Sequence, residues 1–222
     1  MVSLRPKISV IIPTKNEEDA IGQVIREVKR VLDGAESEVV VVDASNDNTP
    51  TEALRAGAKL LKQVGKGDFG EAVMQGVYWS KGDYIVMMDG DGTYEASDIP
   101  KLLEPLMKDE ADLVNGDRFA NMHGGAMRPL NAMGNRLLTK LTNSLFRTDI
   151  NDSQSGMKAL RREMLTNVTL FEKGFSACSE LVAEAAKAHL RIAEVGITYK
   201  PRIGQTKLNP VSVGPAILWS SL

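Results

Sequence analysis

The chain has 222 residues, 43% hydrophobic and 25% charged, which is ordinary for a soluble globular protein and long enough to bury one sizeable core. Its formal net charge of -2 offers no global pull on nucleic acid, so anion binding has to come from local basic clusters. A single cysteine, Cys178, excludes an internal disulfide and a cysteine metal site and fits a reducing compartment, while two histidines, His123 and His189, are too few for a histidine metal cluster.

Residues 1–7 lead directly into a strand without the apolar core of a signal peptide, and no stretch approaches the roughly 20 apolar residues that span a bilayer. Residues 8–12 form the first predicted strand, broken at Pro13-Thr14-Lys15-Asn16. A helix is expected over 17–32, with Ala20, Ile21, Val24, Ile25, Val28 and Leu32 at helical spacing. The strand 38–42 ends at Asp43, and Pro50 marks the first turn of the next helix. A short strand follows over 60–64, then a glycine loop over 65–70 and a helix over 71–80.

The next strand is apolar for five residues from Tyr84 and ends abruptly in Asp89-Gly90-Asp91. Such a strand is expected to be buried on both faces. A helix over about 97–108 and a strand over 111–115 complete the first half, whose alternation predicts a mostly parallel sheet covered by helices. In the second half, 118–128 reads as a loop, 130–146 as a helix and 149–156 as a polar loop before the segment 157–160. A helix over 178–189, a strand over 192–199 and a basic loop over 200–207 follow. The proline-broken apolar tail, 210–222, suits packing on the domain, a membrane surface, or the cut end of a longer chain.

Acidic residues accumulate where strands end, which is where an open α/β sheet presents groups to a ligand. Asp89 and Asp91 repel each other, so a divalent oxygen-seeking cation, Mg²⁺ or Mn²⁺, suits the space between them and is usually shared with substrate phosphates. Asp43 can accept hydrogen bonds from a nucleoside, with Asp47 or Thr49 doing the local capping. Glu17 alone would read as a first-turn acid placed by the helix dipole. Pro13, Asp43 and Asp89 at the same edge make a ligand role the stronger reading. Lys66, between Gly65 and Gly67, could neutralise a diphosphate, although the loop is not a Walker A sequence. Arg118, Arg128, Arg136, Arg202 and Lys207 supply the cations for an anionic second substrate.

Three segments, Val10-Ile11-Ile12-Pro13-Thr14-Lys15-Asn16-Glu17, Val41-Val42-Asp43-Ala44-Ser45-Asn46-Asp47-Asn48-Thr49 and Met88-Asp89-Gly90-Asp91, resemble family-two glycosyltransferases of the GT-A fold. Gly116-Asp117-Arg118-Phe119, Asp152-Ser153-Gln154-Ser155-Gly156-Met157-Lys158 and the 199–208 segment are similar to the acceptor region of polyprenyl-phosphate sugar synthases, dolichol-phosphate mannose synthase among them. The resemblance implies a Rossmann-like nucleotide-diphospho-sugar transferase fold over residues 1–209, with a donor and metal half (1–117) and an acceptor half (118–209).

It implies inverting transfer of a sugar from a GDP- or UDP-linked donor to a polyprenyl or dolichyl monophosphate at the cytoplasmic face of a membrane. Pro13, Thr14, Glu17, Asp43 and Lys66 would hold the donor, and Asp89 and Asp91 a Mg²⁺ or Mn²⁺ on its diphosphate. Arg118, Arg128, Asp152, Gln154, Ser155, Arg202 and Lys207 would receive the acceptor, with Asp91, Arg118, Arg128 and Arg202 acting directly in transfer. The resemblance also allows a membrane-subunit partner and gives no role to nucleic acid. The mannose synthases commonly end the acidic turn in a leucine-glutamine pair where this chain has Gly92-Thr93-Tyr94, and Ala44 replaces a second polar residue beside Asp43. Transfer to a sugar hydroxyl, with Asp152 as base, and a non-catalytic nucleotide-sugar binding module are the alternative readings.

Overall fold

The computed structural model describes residues 7–65, 67–168 and 177–204, and in it the apolar runs become strands of one sheet. These are β1 (Ile8–Thr14), β2 (Ser37–Asp43), β3 (Lys59–Lys62), β4 (Tyr84–Met87), β5 (Leu113–Met122), β6 (Lys158–Arg161) and β7 (Ile192–Tyr199). They lie in the order β3-β2-β1-β4-β6-β5-β7, and β6 alone runs against its neighbours. The expected mostly parallel, helix-covered sheet is thus observed.

The central strands are buried on both faces. Val10, Ile12, Val41, Val86 and Met88 join one core with α1 (Ile21–Val31) and α4 (Ile99–Met107). Ile11, Val40, Val42, Ile85 and Met87 join the other with α3 (Phe69–Trp79) and α6 (Ala177–Lys187). Each fully buried valine or isoleucine contributes about 1.5–3 kcal/mol. With both faces apolar, however, the pattern does not by itself set the strand register. Polar pairs at the two ends of the β1–β2 ladder do so. Ser9 opposes Glu38 and donates to its Oε1 at 2.7 Å, and Thr14 opposes Asp43 and donates to its Oδ1 at 2.7 Å.

Several boundaries differ from the sequence expectation. Helix α1 starts at Ile21 because residues 17–20 form a turn in which the Glu17 carbonyl accepts the Ala20 and Ile21 amides. Strand β4 stops at Met87, two residues before Asp89, and a short 3₁₀ turn (Ala96–Asp98) precedes α4. Strand β5 continues past Asn115 through Arg118 to Met122, because β7 pairs with it from Leu113↔Ile192 to Met122↔Tyr199 across an irregularity between Asp117 and Asn121. The expected loop therefore begins only at residue 123. The remaining helices are α2 (Thr49–Arg55) and α5 (Pro129–Phe146).

Strand β1 has β2 on one side and β4 on the other, so the chain order reverses beside it. Crevices at such switch points, outside the carboxyl ends of the strands, are where open α/β sheets bind ligands. Antiparallel β6 brings its first residue, Lys158, opposite Met87, so the loop 151–157 arrives at this same edge.

Candidate active site

Thr14 and Asp43 close β1 and β2 at this edge. The Asp43 carboxylate accepts from Thr14 Oγ1, from Ser45 N at 3.1 Å and from Ser45 Oγ at 2.5 Å, which fixes its direction. Pro13 lies beyond the last β1–β4 pair, Ile11↔Met87, so its missing amide hydrogen does not interrupt that ladder. Glu17 is buried outside the first turn of α1, and its amide donates to Thr49 Oγ1 at 2.7 Å. The helix-dipole explanation of Glu17 does not hold. Asp47 Oδ1 accepts from the Thr49 amide and hydroxyl, a turn just ahead of α2, whose N-cap residue Asn48 makes no side-chain capping bond.

Gly90 passes so near β1 that a Cβ on it would stand 2.8 Å from Thr14 Cγ2. That close approach brings Asp89 and Asp91 beside the end of β1. Asp91 Oδ1 accepts from the Thr93 amide (3.0 Å) and hydroxyl (2.6 Å). Burial, followed by repulsion from Asp91, pushes the Asp89 carboxyl up to about 7 against the pull of Arg118 and Arg202. A carboxylate pair under this repulsion fits a divalent cation in both charge and donor chemistry. Among the described residues no group of three or more His, Cys, Asp or Glu side chains forms a metal cage. An ion on Asp89 and Asp91 would therefore draw its other oxygens from substrate or water.

Arg202 is carried to these acids by backbone pairing. Lys200 N donates to Thr93 O at 2.8 Å and Ile203 N to Asp91 O at 3.0 Å. Its guanidinium then joins two acids distant in sequence: Nη2 donates to Glu17 Oε1, and Nη1 stands 3.3 Å from Asp91 Oδ2. Its Nε is buried with no hydrogen-bond partner, a donor whose unmet bond costs about 1–3 kcal/mol until a ligand supplies an acceptor.

Arg118 lies on β5 rather than in a loop, and both it and Asp152 are buried. It grips Asp152 with two donors, Nε to Oδ2 at 2.6 Å and Nη2 to Oδ1 at 2.8 Å. The guanidinium also stands 5.3 Å from the centre of the Tyr199 ring. Ser155, expected at the acceptor, is fully buried. Its hydroxyl and the amide and carbonyl of Met157 lie 3.3 and 3.4 Å apart, closing the turn into β6 rather than facing a ligand. Gln154 is half-buried and donates to Ser153 Oγ at 3.0 Å. Arg128 is exposed at the start of α5. Lys66 and Lys207 lie outside the described residues.

Four supporting residues had not been singled out as site residues. Glu194 accepts from Asn115 Nδ2, the Asn151 amide and side chain, and the Asp152 amide, so it anchors the loop that carries Asp152. Lys158 is fully buried, donates to Asn115 Oδ1, and has its ammonium pushed down by burial. A charged residue inside an otherwise apolar strand was the available signal for Glu194, whereas Lys158 opens β6, which also ends in Arg161, and gave no such signal. Tyr94 accepts the Gly156 amide at 2.7 Å. A Cβ on Gly156 would stand 3.0 and 3.1 Å from the Asp89 carboxylate oxygens, so this glycine leaves the space that carboxylate occupies.

Residues 9–169 match the model of glycosyl transferase family 2, and the chain belongs to that family. It is 38% identical over 209 residues to the low-salt glycan biosynthesis hexosyltransferase Agl6 of Haloferax volcanii, covering 92% of this chain and 50% of that protein. Over 212 residues it is 39% identical to a dolichyl-phosphate hexose transferase of the same organism, covering 95% of this chain and 90% of that one. The chain thus spans half the length of one relative and nearly all of the other. Among solved structures, glucosyl-3-phosphoglycerate synthase from Mycobacterium tuberculosis, in complex with Mn²⁺, UDP and glucosyl-3-phosphoglycerate, matches with a TM-score of 0.78 and 25% identity. That match covers 97% of this chain and 80% of that one. The family-two resemblance and the α/β GT-A fold expected from the sequence are both borne out.

Proposed function

We propose that this glycosyltransferase moves a sugar from a nucleotide-sugar to a polyprenyl or dolichyl monophosphate, with inversion at the anomeric carbon, at the cytoplasmic face of a membrane. In this reading Pro13, Thr14, Glu17 and Asp43 hold the nucleoside, and Asp89 and Asp91 hold a Mg²⁺ or Mn²⁺ on the donor diphosphate. When bound, the ion offsets charge on the leaving nucleoside diphosphate. Arg118, Arg128, Arg202 and Lys207 serve the acceptor phosphate, with Lys66 near the donor. The name of one Haloferax relative, a dolichyl-phosphate hexose transferase, supports a lipid-phosphate acceptor, and the Mn²⁺ and UDP of the structural neighbour support the metal and donor class.

The observation that carries the acceptor class is the state of Asp152. A hydroxyl acceptor needs a carboxylate base, yet both Asp152 oxygens are engaged by buried Arg118. A phosphate monoester, with a second pKa of about 6, is already largely ionised at neutral pH and attacks without a base. Its oxygen forms the new bond to the anomeric carbon as the bond to the diphosphate breaks, and the electron pair leaves on the diphosphate. No proton has to move, so the cations have to align two anions without quenching the nucleophile. Arg202, with its Nη1 beside Asp91 and an unpartnered Nε, suits that task.

The reading is tested with a panel of GDP- and UDP-sugars, Mg²⁺ or Mn²⁺ and a short prenyl phosphate, following the lipid-linked product. Product from at least one donor supports it. Transfer only to sugar hydroxyls, lost in Asp152→Asn while donor binding persists, would replace it with the hydroxyl-acceptor alternative. Among the described residues no helix is long and apolar enough to cross a membrane.

A further inference from the structure

Helix α5 is inverted relative to an ordinary surface helix. Its buried residues are two threonines, Thr139 and Thr142. Leu130, Met133, Leu137, Leu141 and Leu145 recur at intervals of three or four residues and form one stripe facing outward, with exposures between 38% and 68%. A continuous apolar stripe of this kind on a water-facing helix marks an interaction surface. Its charge is equally one-sided. Between residues 128 and 148 the chain has Arg128, Arg136, Lys140 and Arg147 and no aspartate or glutamate. At 100° per residue, Arg136, Lys140 and Arg147 fall along one flank of the stripe.

We propose that this face of α5 docks on an anionic lipid bilayer, its leucines entering the interface and its cations meeting the headgroups. The proposal rests on the lipid-phosphate reading above and assigns the membrane contact to a particular element. Charge complementarity selects the occupant: a second copy would oppose cations to cations with no carboxylate in the segment to neutralise them, whereas an anionic bilayer supplies the missing charge. The helix is also joined to the acceptor edge. Ser153 N donates to Thr139 Oγ1 at 3.0 Å, one residue from Asp152, and the Arg136 guanidinium stands 4.8 Å from the centre of the Phe119 ring, beside Arg118. A bilayer on the outer face of α5 therefore lies next to the loop and strand proposed to receive the lipid phosphate.

The test is co-sedimentation of the full chain with phosphatidylcholine vesicles, with and without phosphatidylglycerol, in the absence of donor and acceptor. Wild type is expected to bind the phosphatidylglycerol vesicles preferentially. The double variant Leu137→Glu/Leu141→Glu should bind about tenfold more weakly or worse, with its thermal midpoint retained. Lys140→Ala, a gentler change, should weaken binding to the anionic vesicles alone. The double variant should still use a water-soluble short prenyl phosphate at the wild-type rate and lose transfer to a long-chain acceptor embedded in vesicles. Absence of wild-type vesicle binding, unchanged binding by both variants, or a wild-type dimer that dissociates on substitution without any vesicle binding would overturn the proposal. Failure of the acceptor reading would appear separately, as no product from the soluble prenyl phosphate with wild-type protein.

Discussion

Arg118 on β5 and Asp152 in the loop before β6 form a bidentate ion pair, at 2.6 and 2.8 Å, in a place where both side chains are buried. The pair ties the second half of the sheet to the loop around the proposed acceptor site. It also withdraws Asp152 from base chemistry. Removing one member of such a pair strands a buried charge, which is more damaging than replacing both.

Asp152→Asn is accordingly expected to lose about 3–5 kcal/mol of stability by urea unfolding, while Arg118→Met/Asp152→Leu recovers most of that loss. Equal destabilisation of the single and double variants would show that the pair is not isolated as described.

Arg202 joins Glu17 and Asp91 through two nitrogens and keeps a third unpartnered. Arg202→Gln should lower the transfer rate about 10²–10³-fold with a small change in thermal midpoint. Arg202→Lys should not restore it, because one ammonium cannot span both acids as the planar fork does. Steady-state kinetics in both substrates, beside a melting curve, separates this from a folding defect.

Gly156→Ala places a methyl against the Asp89 oxygens and Tyr94 hydroxyl at 3.0–3.2 Å. The carboxylate has to yield by a few tenths of an ångström. Metal affinity, followed by titration calorimetry with Mn²⁺ and the nucleoside diphosphate, is expected to fall about tenfold while the unfolding midpoint barely moves. Unchanged affinity would dissociate Gly156 from the proposed metal site.

Glu38 provides a pH-dependent contribution away from the site. Burial raises its carboxyl, but hydrogen bonds from Lys59 and Ser9 and from the Lys81 amide outweigh burial and hold it at about 2, below its ordinary 4.5. Because the folded value is the lower one, this stability is present above about pH 4.5 and is lost as pH falls toward 2. It is on the order of 3 kcal/mol. Urea unfolding across that window should show a steeper acid loss in wild type than in Glu38→Gln.

The proposed donor edge was largely legible in the sequence because Thr14, Asp43 and Asp89 lie at or just beyond the apolar strands β1, β2 and β4. The proposed acceptor half was less so. Residues 118–122 lack an apolar alternation and read as part of a loop, yet pairing with β7, some 80 residues away, makes them strand. Arg118 and Ser155 both read as loop residues. Their burial depends on Asp152 and on the turn into antiparallel β6, contacts that no local pattern reveals. Lys200 and Ile203 pairing with the acidic turn likewise explains how Arg202 reaches Glu17 across 185 positions.

The most direct measurement is the product formed when wild-type protein, Mg²⁺ or Mn²⁺ and the nucleotide-sugar panel are given a short prenyl phosphate and a sugar-hydroxyl acceptor in competition. The account predicts a prenyl-phosphate sugar whose anomeric configuration is inverted relative to the donor, by mass spectrometry and NMR, and none in Asp91→Ala. Transfer to the hydroxyl alone, or no lipid-linked product from any donor, would contradict it.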